Sequence, residues 1–162
     1  MAAGLSLPED NIKVFRKMIN AHCQLTEQDI IPKVRIDVPM PVDYVTKELV
    51  REFNLLSPFG KDNTKPVFAD KNIQIKRMRI MGKNRNVLKL SMITSGGMPV
   101  TGVYFGDVDS FCNYLEEKFG KQQVDEAFNG KSNKITVSIV YFPKINTFRD
   151  LEELQFEIQY YQ

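Results

Sequence analysis

The feature that most limits the fold of this 162-residue chain is a break in the alternation of IQIKRMRI (73–80). Apolar residues first occupy odd positions, Ile73 and Ile75, and then even positions, Met78 and Ile80. Because successive strand residues point to opposite faces, one extra residue between positions 75 and 78 is needed to keep all four on one face. The segment therefore predicts a strand with a β-bulge, which bends at that point.

Four further segments alternate in the same way and continue the β-rich region to the end of the chain. Each is bounded by turn-forming residues, which is typical of strands with one buried face. The segments are VLKLSMIT (87–94), VTGVYFG (100–106), KITVSIVYF (134–142) and ELQFEIQYY (153–161). In the last segment, the residues predicted to face the core are Leu154, Phe156, Ile158 and Tyr160.

A helix is predicted between the third and fourth of these five strands. Asp109 can cap it, and Phe111, Leu115 and Phe119 recur at helical spacing. Five strands, the first of them bent, with a helix between strands 3 and 4 have the order of an OB-fold β-barrel. We therefore expect an OB-fold over residues 70–162.

The first 57 residues combine helical patterns with one short strand. Residues 9–23 form a predicted helix, and 33–41 form a predicted short strand that ends in prolines, as strands at a sheet edge often do. Residues 43–56 are predicted to be helical, with Asp43 as cap. The buried stripe expected on the first helix is Ile12, Phe15, Ile19 and Cys23, and on the second Val45, Leu49, Phe53 and Leu56.

The segment PFGKDNTKPVF (58–68) separates the two halves. Pro58 cannot continue a helix, Gly60 suits a left-handed cap, and Asp62-Asn63 favours a turn. We therefore expect an α+β chain with an α/β piece at 1–57, a structured junction at 58–69 and the barrel at 70–162.

The residue content argues against a catalytic or metal site. His22 is the single histidine, and Cys23 and Cys112 form no CxxC pair. A histidine at the end of a helix usually caps carbonyls, so we interpret His22 as structural and the two cysteines as reduced, buried thiols. No apolar run approaches membrane length and no secretory signal is visible, so a cytoplasmic protein without a membrane partner is expected.

Charge is distributed unevenly along the chain. No acidic residue occurs between Lys71 and Gly106, and that span carries seven cationic residues, whereas the whole chain has a net charge of +2. Lysine and arginine neutralise phosphates and exposed rings stack on bases, which are the requirements for binding single-stranded nucleic acid. The predicted binding residues are Lys76, Arg77, Arg79, Lys83, Arg85, Lys89, Tyr104, Phe148 and Arg149, with Phe142 as a further ring beside the charge.

Three other interpretations of this pattern remain. A lysine-rich strand can simply be a solvated surface. The barrel can also be a protein-interaction module with incidental charge, because a fold alone does not decide function. A self-sufficient enzyme with an unfamiliar site is the third possibility.

Several motifs resemble the C-terminal part of RecJ-type single-strand-specific exonucleases. NLLSPFGKDNTKPVF (54–68) is similar to a junction in which Pro-Phe-Gly, Asn and Pro-x-Phe recur in that order. The start, MAAGLSL (1–7), resembles the residues that follow the Gly-Gly-His motif of the family's DHHA1 domain. The further similar stretches are RIDVPMP (35–41), MGKNRNVLKL (81–90), YFPKINTFR (141–149) and LQFEIQ (154–159).

The resemblance implies a partial DHHA1-like piece at 1–57 followed by an OB-fold that binds single-stranded DNA. It also implies a parent enzyme of repair and recombination that degrades single strands from 5′ to 3′. Asp62 and Thr64 stand where the family often has Gly and Pro, and the Gly-Gly-His and DHH motifs are absent. The expectation is therefore an inactive chain without its own cofactor. The Mn²⁺ or Mg²⁺ is expected in a catalytic DHH core outside this chain, which would be its partner. An exposed sheet edge in the first half would allow a homodimer.

Overall fold

A computed structural model describes residues 4–31 and 33–162, so the first three residues of the MAAGLSL motif lie outside the described part. The chain divides into two compact units, Met1–Val34 and Arg35–Gln162. The described residues contain no helix long and apolar enough to cross a membrane.

The first unit contains two helices, α1 (Ile12–His22) and α2 (Glu27–Ile30), with a 3-10 turn at Glu9–Asn11 before α1. The predicted helix at 9–23 is thus confirmed, but none of the residues of α1 is buried. The His22 ring donates from Nδ1 to the Met18 carbonyl at 2.9 Å, in the structural role expected at a helix end. The described part of this unit has no strand, and the homodimer through a sheet edge stays a prediction.

The second unit is a barrel built on six strands. They are β1 (Val38–Pro39), β2 (Phe68–Met81), β3 (Val87–Ile93), β4 (Pro99–Phe105), β5 (Thr136–Phe148) and β6 (Leu151–Tyr161). Their order is β1-β2-β3-β4-β6-β5, and β5 pairs back onto β2 to close the sheet. β4 and β6 run parallel, whereas β2–β3, β3–β4, β2–β5 and β5–β6 are antiparallel. The predicted OB-fold and the α+β class are confirmed.

The bulge in β2 lies where the broken alternation placed it. The register with β3 shifts between Ile75 and Arg77, so Lys76 is the extra residue. β2 pairs with β5 as far as Gln74 and with β3 from Gln74 through the bulge to Met81. The bend therefore lets one strand hydrogen-bond to two neighbours and close the barrel.

The barrel core is formed by the predicted inward positions. Fully buried side chains include Leu88, Leu90 and Met92 of β3 and Ile139 and Tyr141 of β5. The Tyr141 hydroxyl donates to the Met40 carbonyl at 2.8 Å, and burial raises the pKa of this phenol. Two helices, not one, join β4 to β5: α4 (Val108–Phe119) and α5 (Lys121–Phe128). Phe111 and Leu115 of α4 are buried in the same core.

The face predicted for the end of β6 is wrong by one residue. Tyr141 pairs with Ile158 whereas Val140 pairs with Tyr160, so β6 has an extra residue at this point. Tyr161 therefore turns inward, with its ring centroid 4.0 Å from that of Phe111, and Tyr160 is 49% exposed.

Three predicted helix signals are also corrected. Asp107, not Asp109, caps α4 by accepting a hydrogen bond from the Ser110 amide at 3.0 Å. The predicted helix at 43–56 is a 3-10 turn at Val42–Tyr44, α3 (Lys47–Phe53) capped by Thr46, and a 3-10 turn at Asn54–Leu56. Asp43 instead accepts a hydrogen bond from the Thr94 hydroxyl at 2.5 Å, and Leu56 is exposed.

The junction at 58–69 is held by side chains and not by a left-handed glycine. Gly60 is absent from the positive-φ glycines of the described residues, so that expectation is wrong. The Asn63 amide donates to the carbonyls of Leu56 at 2.7 Å and Pro58 at 3.0 Å and thereby holds the turn. The Phe59 ring meets the Phe142 ring edge-on, at a centroid distance of 6.1 Å.

The division between the units falls after Val34, whereas the sequence placed a boundary at residue 57. Asp37 exchanges two hydrogen bonds with Val67, both of 2.9 Å, one through its amide and one through its carboxylate. The Asp70 carboxylate accepts from the Val42 amide at 2.8 Å. Residues 35–57 are therefore attached to the barrel. The assignment of a DHHA1-like piece remains a prediction.

We predict that Gly102→Ala destabilises the barrel. A Cβ at this buried β4 position would lie 2.6 Å from Met92 Cε and 3.0 Å from Ile158 Cδ1, and such overpacking costs about 1–3 kcal/mol. Urea unfolding measures the loss. The matched control is Gly60→Ala, where nothing lies within 4 Å of the new Cβ, so the change should be neutral or slightly stabilising. Equal unfolding midpoints for the two variants would contradict the close packing at Gly102.

Candidate nucleic-acid interface

The basic side chains of β2 and the following turn lie on the outside of the barrel. Met78 is buried and Ile80 is partly buried against the core, so Arg77 and Arg79, which alternate with them, point outward and are exposed. Arg79 pairs in register with Lys89 on β3. The β2–β3 turn, residues 82–86, carries Lys83 and Arg85, both exposed.

The turn has a defined conformation that presents these two cations. Gly82 and Arg85 have φ values of 83° and 53°, and the Arg85 amide donates to the Gly82 carbonyl at 3.1 Å. A second bond runs from the Gly106 amide to the Asn86 carbonyl, also at 3.1 Å, and ties the turn to the end of β4. Local hydrogen bonds therefore fix the backbone below the charges.

Five of the predicted cations form a group that we call the basic strip. None of them has a carboxylate within 4.0 Å in the part of the chain that the structure describes. The basic strip consists of Lys76, Arg77, Arg79, Lys83 and Arg85.

Lys89 differs from the basic strip because the fold gives it an acidic neighbour. Lys89 Nζ lies 3.9 Å from a carboxylate oxygen of Glu153 on β6, and Lys144 on β5 lies 3.0 Å from one of Glu157. Residues 71–106 contain no acidic residue, but β6 lies next to β4 in the closed sheet and brings its carboxylates close to them. The predicted free charge of Lys89 is therefore partly neutralised.

Two of the rings proposed for base stacking have packing roles instead. Tyr104 faces inward, with its ring centroid 5.2 Å from that of Phe111 and 5.6 Å from that of Tyr161. Phe142 is only 8% exposed, because Phe59 packs against it and Lys65 Nζ lies 5.0 Å from its ring centroid. Neither position offers the open ring face that stacking requires.

Phe105 is the exposed ring that the sequence analysis missed. It is 51% exposed at the end of β4, in register with Val87, and Lys144 Nζ lies 4.9 Å from its ring centroid. The strand parity could have revealed it: Leu88 and Leu90 face inward opposite Tyr104 and Gly102, so Val103 and Phe105 face outward.

Phe148 and Arg149 lie at the other end of the barrel strands. They belong to the β5–β6 hairpin, whose turn residues Arg149 and Asp150 have φ values of 50° and 61°. Phe148 is 65% exposed, and the Arg149 guanidinium carbon lies 5.2 Å from its ring centroid. Because Thr101 pairs with Gln155, the register places this hairpin tip roughly 25 Å from Phe105 along the strands. The structure does not bring the hairpin tip together with the basic strip.

A cleft of about 500 Å³ lies near the start of β4 and β6. Its apolar lining includes Val100, Leu154 and Phe156, and Glu152 and Glu153 also line it. Two carboxylates disfavour phosphate at this end. Within the described ranges, no group of three or more His, Cys, Asp or Glu could hold a metal ion, so the donor set does not fit a metal centre.

The RecJ OB domain family matches residues 36–160. This chain belongs to the RecJ OB domain family. This chain is 35% identical over 94 residues to the single-stranded-DNA-specific exonuclease RecJ of Bacillus subtilis (strain 168). That match covers 57% of this chain and 12% of the relative.

The fold agrees with a solved RecJ structure. The crystal structure of RecJ from Thermus thermophilus in complex with Mn²⁺ matches with a TM-score of 0.60 at 15% identity. The match covers 97% of this chain and 20% of the Thermus chain. The resemblance to RecJ-type proteins is thus confirmed, and the chain spans a fifth or less of these relatives.

We predict that Glu153 makes the stability of this barrel depend on pH in the acidic range. The Thr101 hydroxyl, which donates to Glu153 at 2.7 Å, together with Gln155 and Lys89, holds the pKa of this carboxyl below its usual 4.5. A carboxyl whose pKa is lower in the folded state than in the unfolded state stabilises the fold at pH values above its unfolded-state pKa. This stabilisation is lost as the pH falls through the folded-state pKa. Glu153→Gln should therefore make the unfolding free energy vary less with pH between roughly pH 5 and pH 3.

Chemical denaturation at a series of pH values measures this effect. Thr101→Val removes the hydroxyl donor and should flatten the same pH range, whereas Ser91→Ala, on the neighbouring strand, keeps the bond and should not. An unchanged pH profile in Glu153→Gln would exclude this carboxyl as a source of acid sensitivity.

Proposed function

We propose that this barrel binds single-stranded DNA for a RecJ-type exonuclease and holds the strand for a catalytic core outside this chain. The observation that supports it best is the basic strip, five cations without a carboxylate partner among the described residues, with Phe105 exposed at the strand end beside the turn. Membership of the RecJ OB domain family and the similarity to an exonuclease named for single-stranded DNA point the same way.

The chemistry of the strip suits a ligand of any base sequence. Lysine and arginine on β2 and the turn would neutralise phosphates, which carry no sequence information. Phe105 would receive a base on its open face, and stacking tolerates every base. Lys89 would contribute less than the strip because Glu153 already lies beside it.

Cleavage is proposed to occur elsewhere in the parent protein. The described residues of this chain do not fit a metal centre, so the Mn²⁺ or Mg²⁺ and the 5′-to-3′ cleavage would belong to the DHH core, with a DHHA1-like segment preceding the barrel. The proposal includes a role in DNA repair and recombination and a cytoplasmic location. This chain alone would be inactive as a nuclease.

Salt dependence of binding tests the strip directly. Fluorescence anisotropy of labelled oligothymidine should show log affinity falling against log salt with a slope of about −3.5, for five phosphate contacts. Arg79→Gln/Lys83→Gln should make the slope shallower by about 1.4, because two contacts are lost. The matched control is Lys118→Gln/Lys121→Gln, which removes two exposed lysines from α4 and α5 and should leave the slope unchanged.

Absence of binding even at low salt would overturn the proposal and favour a protein-interaction module. One observation supports that second function: Phe148 and Leu151 are 65% and 75% exposed at the tip of the β5–β6 hairpin. Adjacent apolar side chains of this kind can be buried by a protein partner. Metal-dependent cleavage by this chain alone would instead support a self-sufficient enzyme.

The stacking ring can be identified separately from the phosphate contacts. We predict that Phe105→Ala weakens oligothymidine binding by about 1–3 kcal/mol while the salt slope stays constant, since a ring contributes no counterion release. Phe148→Ala is the matched ring truncation at the far end and should have a smaller effect. The same anisotropy titrations measure both variants. A larger loss in Phe148→Ala would move the base contact to the hairpin.

A further inference from the structure

The loop between α5 and β5, residues 129–135, adds two cations beside the basic strip. Lys131 and Lys134 are exposed, and neither has a carboxylate within 4.0 Å among the described residues. Both lysines follow the acid-free span 71–106 by more than twenty residues, so the charge pattern of the sequence does not link them to the basic strip.

Hydrogen bonds hold this loop against β2 at the bulge. Asn133 is 4% exposed, and its Nδ2 donates to the Lys76 carbonyl at 3.4 Å. Its own carbonyl accepts from Gln74 Nε2 at 3.0 Å, and the Ile75 amide donates to the Ile135 carbonyl at 2.9 Å. The loop therefore occupies the edge of β2 just where β5 stops pairing with it.

The Arg77 side chain lies close to the loop. Its Cδ and Nε lie 3.6 Å from the point where a Cβ on Gly130 would stand. Glu126, the acid whose carbonyl accepts from the Lys131 amide, already accepts hydrogen bonds from the side-chain amides of Gln122 and Gln123. Arg77 is thus a neighbour of the loop that carries Lys131 and Lys134. The amides that donate to the Glu126 carboxylate are neutral and leave its negative charge in place.

The opposite direction along the barrel surface is less favourable for a polyanion. Across β3 and β4, the strip meets β6, where Glu153 and Glu157 are paired with Lys89 and Lys144. A strand that ran that way would pass two lysines whose charge these carboxylates already neutralise, so they attract phosphate less than the unpaired cations of β2 do. A strand that ran along β2 would meet cations from the turn at 82–86 to the loop.

We propose that single-stranded DNA follows β2 from the turn at 82–86 onto the loop at 129–135, where Lys131 and Lys134 contact its phosphates. The path begins at the turn, beside Phe105 at the end of β4, and does not continue across β3, β4 and β6. This inference rests on the proposed function and specifies the course of the strand. From Lys76 to the turn, the path is roughly 20 Å long, and the loop extends it beyond the bulge.

The test compares double variants of the whole chain on an oligothymidine of about 15 nucleotides, near the upper site size of an OB-fold. The two added contacts bring the expected slope of the unmodified chain from about −3.5 to about −4.9. Lys131→Gln/Lys134→Gln should return the slope to about −3.5, and Lys131→Arg/Lys134→Arg should keep it at about −4.9. Lys118→Gln/Lys121→Gln, in the same helical insert, serves as control and should match the unmodified chain.

A fourth double variant examines the alternative path. Glu153→Gln/Glu157→Gln should leave affinity within about twofold of the unmodified chain, since the strand avoids β6. A tenfold or larger gain, or a slope in Lys131→Gln/Lys134→Gln equal to that of the control, would overturn the proposed path. If the unmodified chain binds no oligothymidine, the proposed function itself fails. If the unmodified chain binds and Lys131→Gln/Lys134→Gln has the same salt slope as the unmodified chain, the proposed function stands and only the proposed path is wrong.

Discussion

Closure of this barrel depends on β2, the strand at which the sheet returns to pair with its last strand, β5. β2 hydrogen-bonds to β5 up to Gln74 and to β3 from there to Met81, and the bulge at Lys76 provides the necessary bend. Without that extra residue, Met78 and Ile80 would face solvent while Arg77 and Arg79 would face the core. The same bulge therefore seals the apolar interior and turns the arginines outward.

Alternation within the strands was enough to predict most of the barrel. The broken pattern located the bulge, and the buried faces of β3 and β5 followed from simple period-2 spacing. The prediction was wrong where a feature depends on a partner strand. The extra residue in β6 is visible only from its register with β5, so Tyr160 was chosen in place of Tyr161. Asp43 and Asp107 show the same limit, because the sequence offers several candidate caps and only the folded structure shows which group donates to each carboxylate.

The candidate site was predictable to a smaller extent, because charge and ring exposure are properties of the folded surface. A span without acidic residues indicated the basic strip, but barrel closure set Glu153 beside Lys89. Residues far apart in sequence, such as Gly130 and Arg77, are neighbours because Asn133 holds the loop at 129–135 against β2. Phe105 could have been found from the parity of β4, whereas the covering of Phe142 by the junction required the structure.

The absence of a side chain at Gly102 has a consequence for how any ligand is held. Met92 and Ile158 fill the space that a Cβ would take, and small barrels of this type are filled by their own side chains. Because the core has no cavity at this level, a bound polymer lies on the outer surface of the barrel. It can bind to that surface and dissociate from it sideways. Threading through the protein and opening of the sheet are both unnecessary, so the barrel can release one stretch of polymer and take up the next while its own fold stays intact.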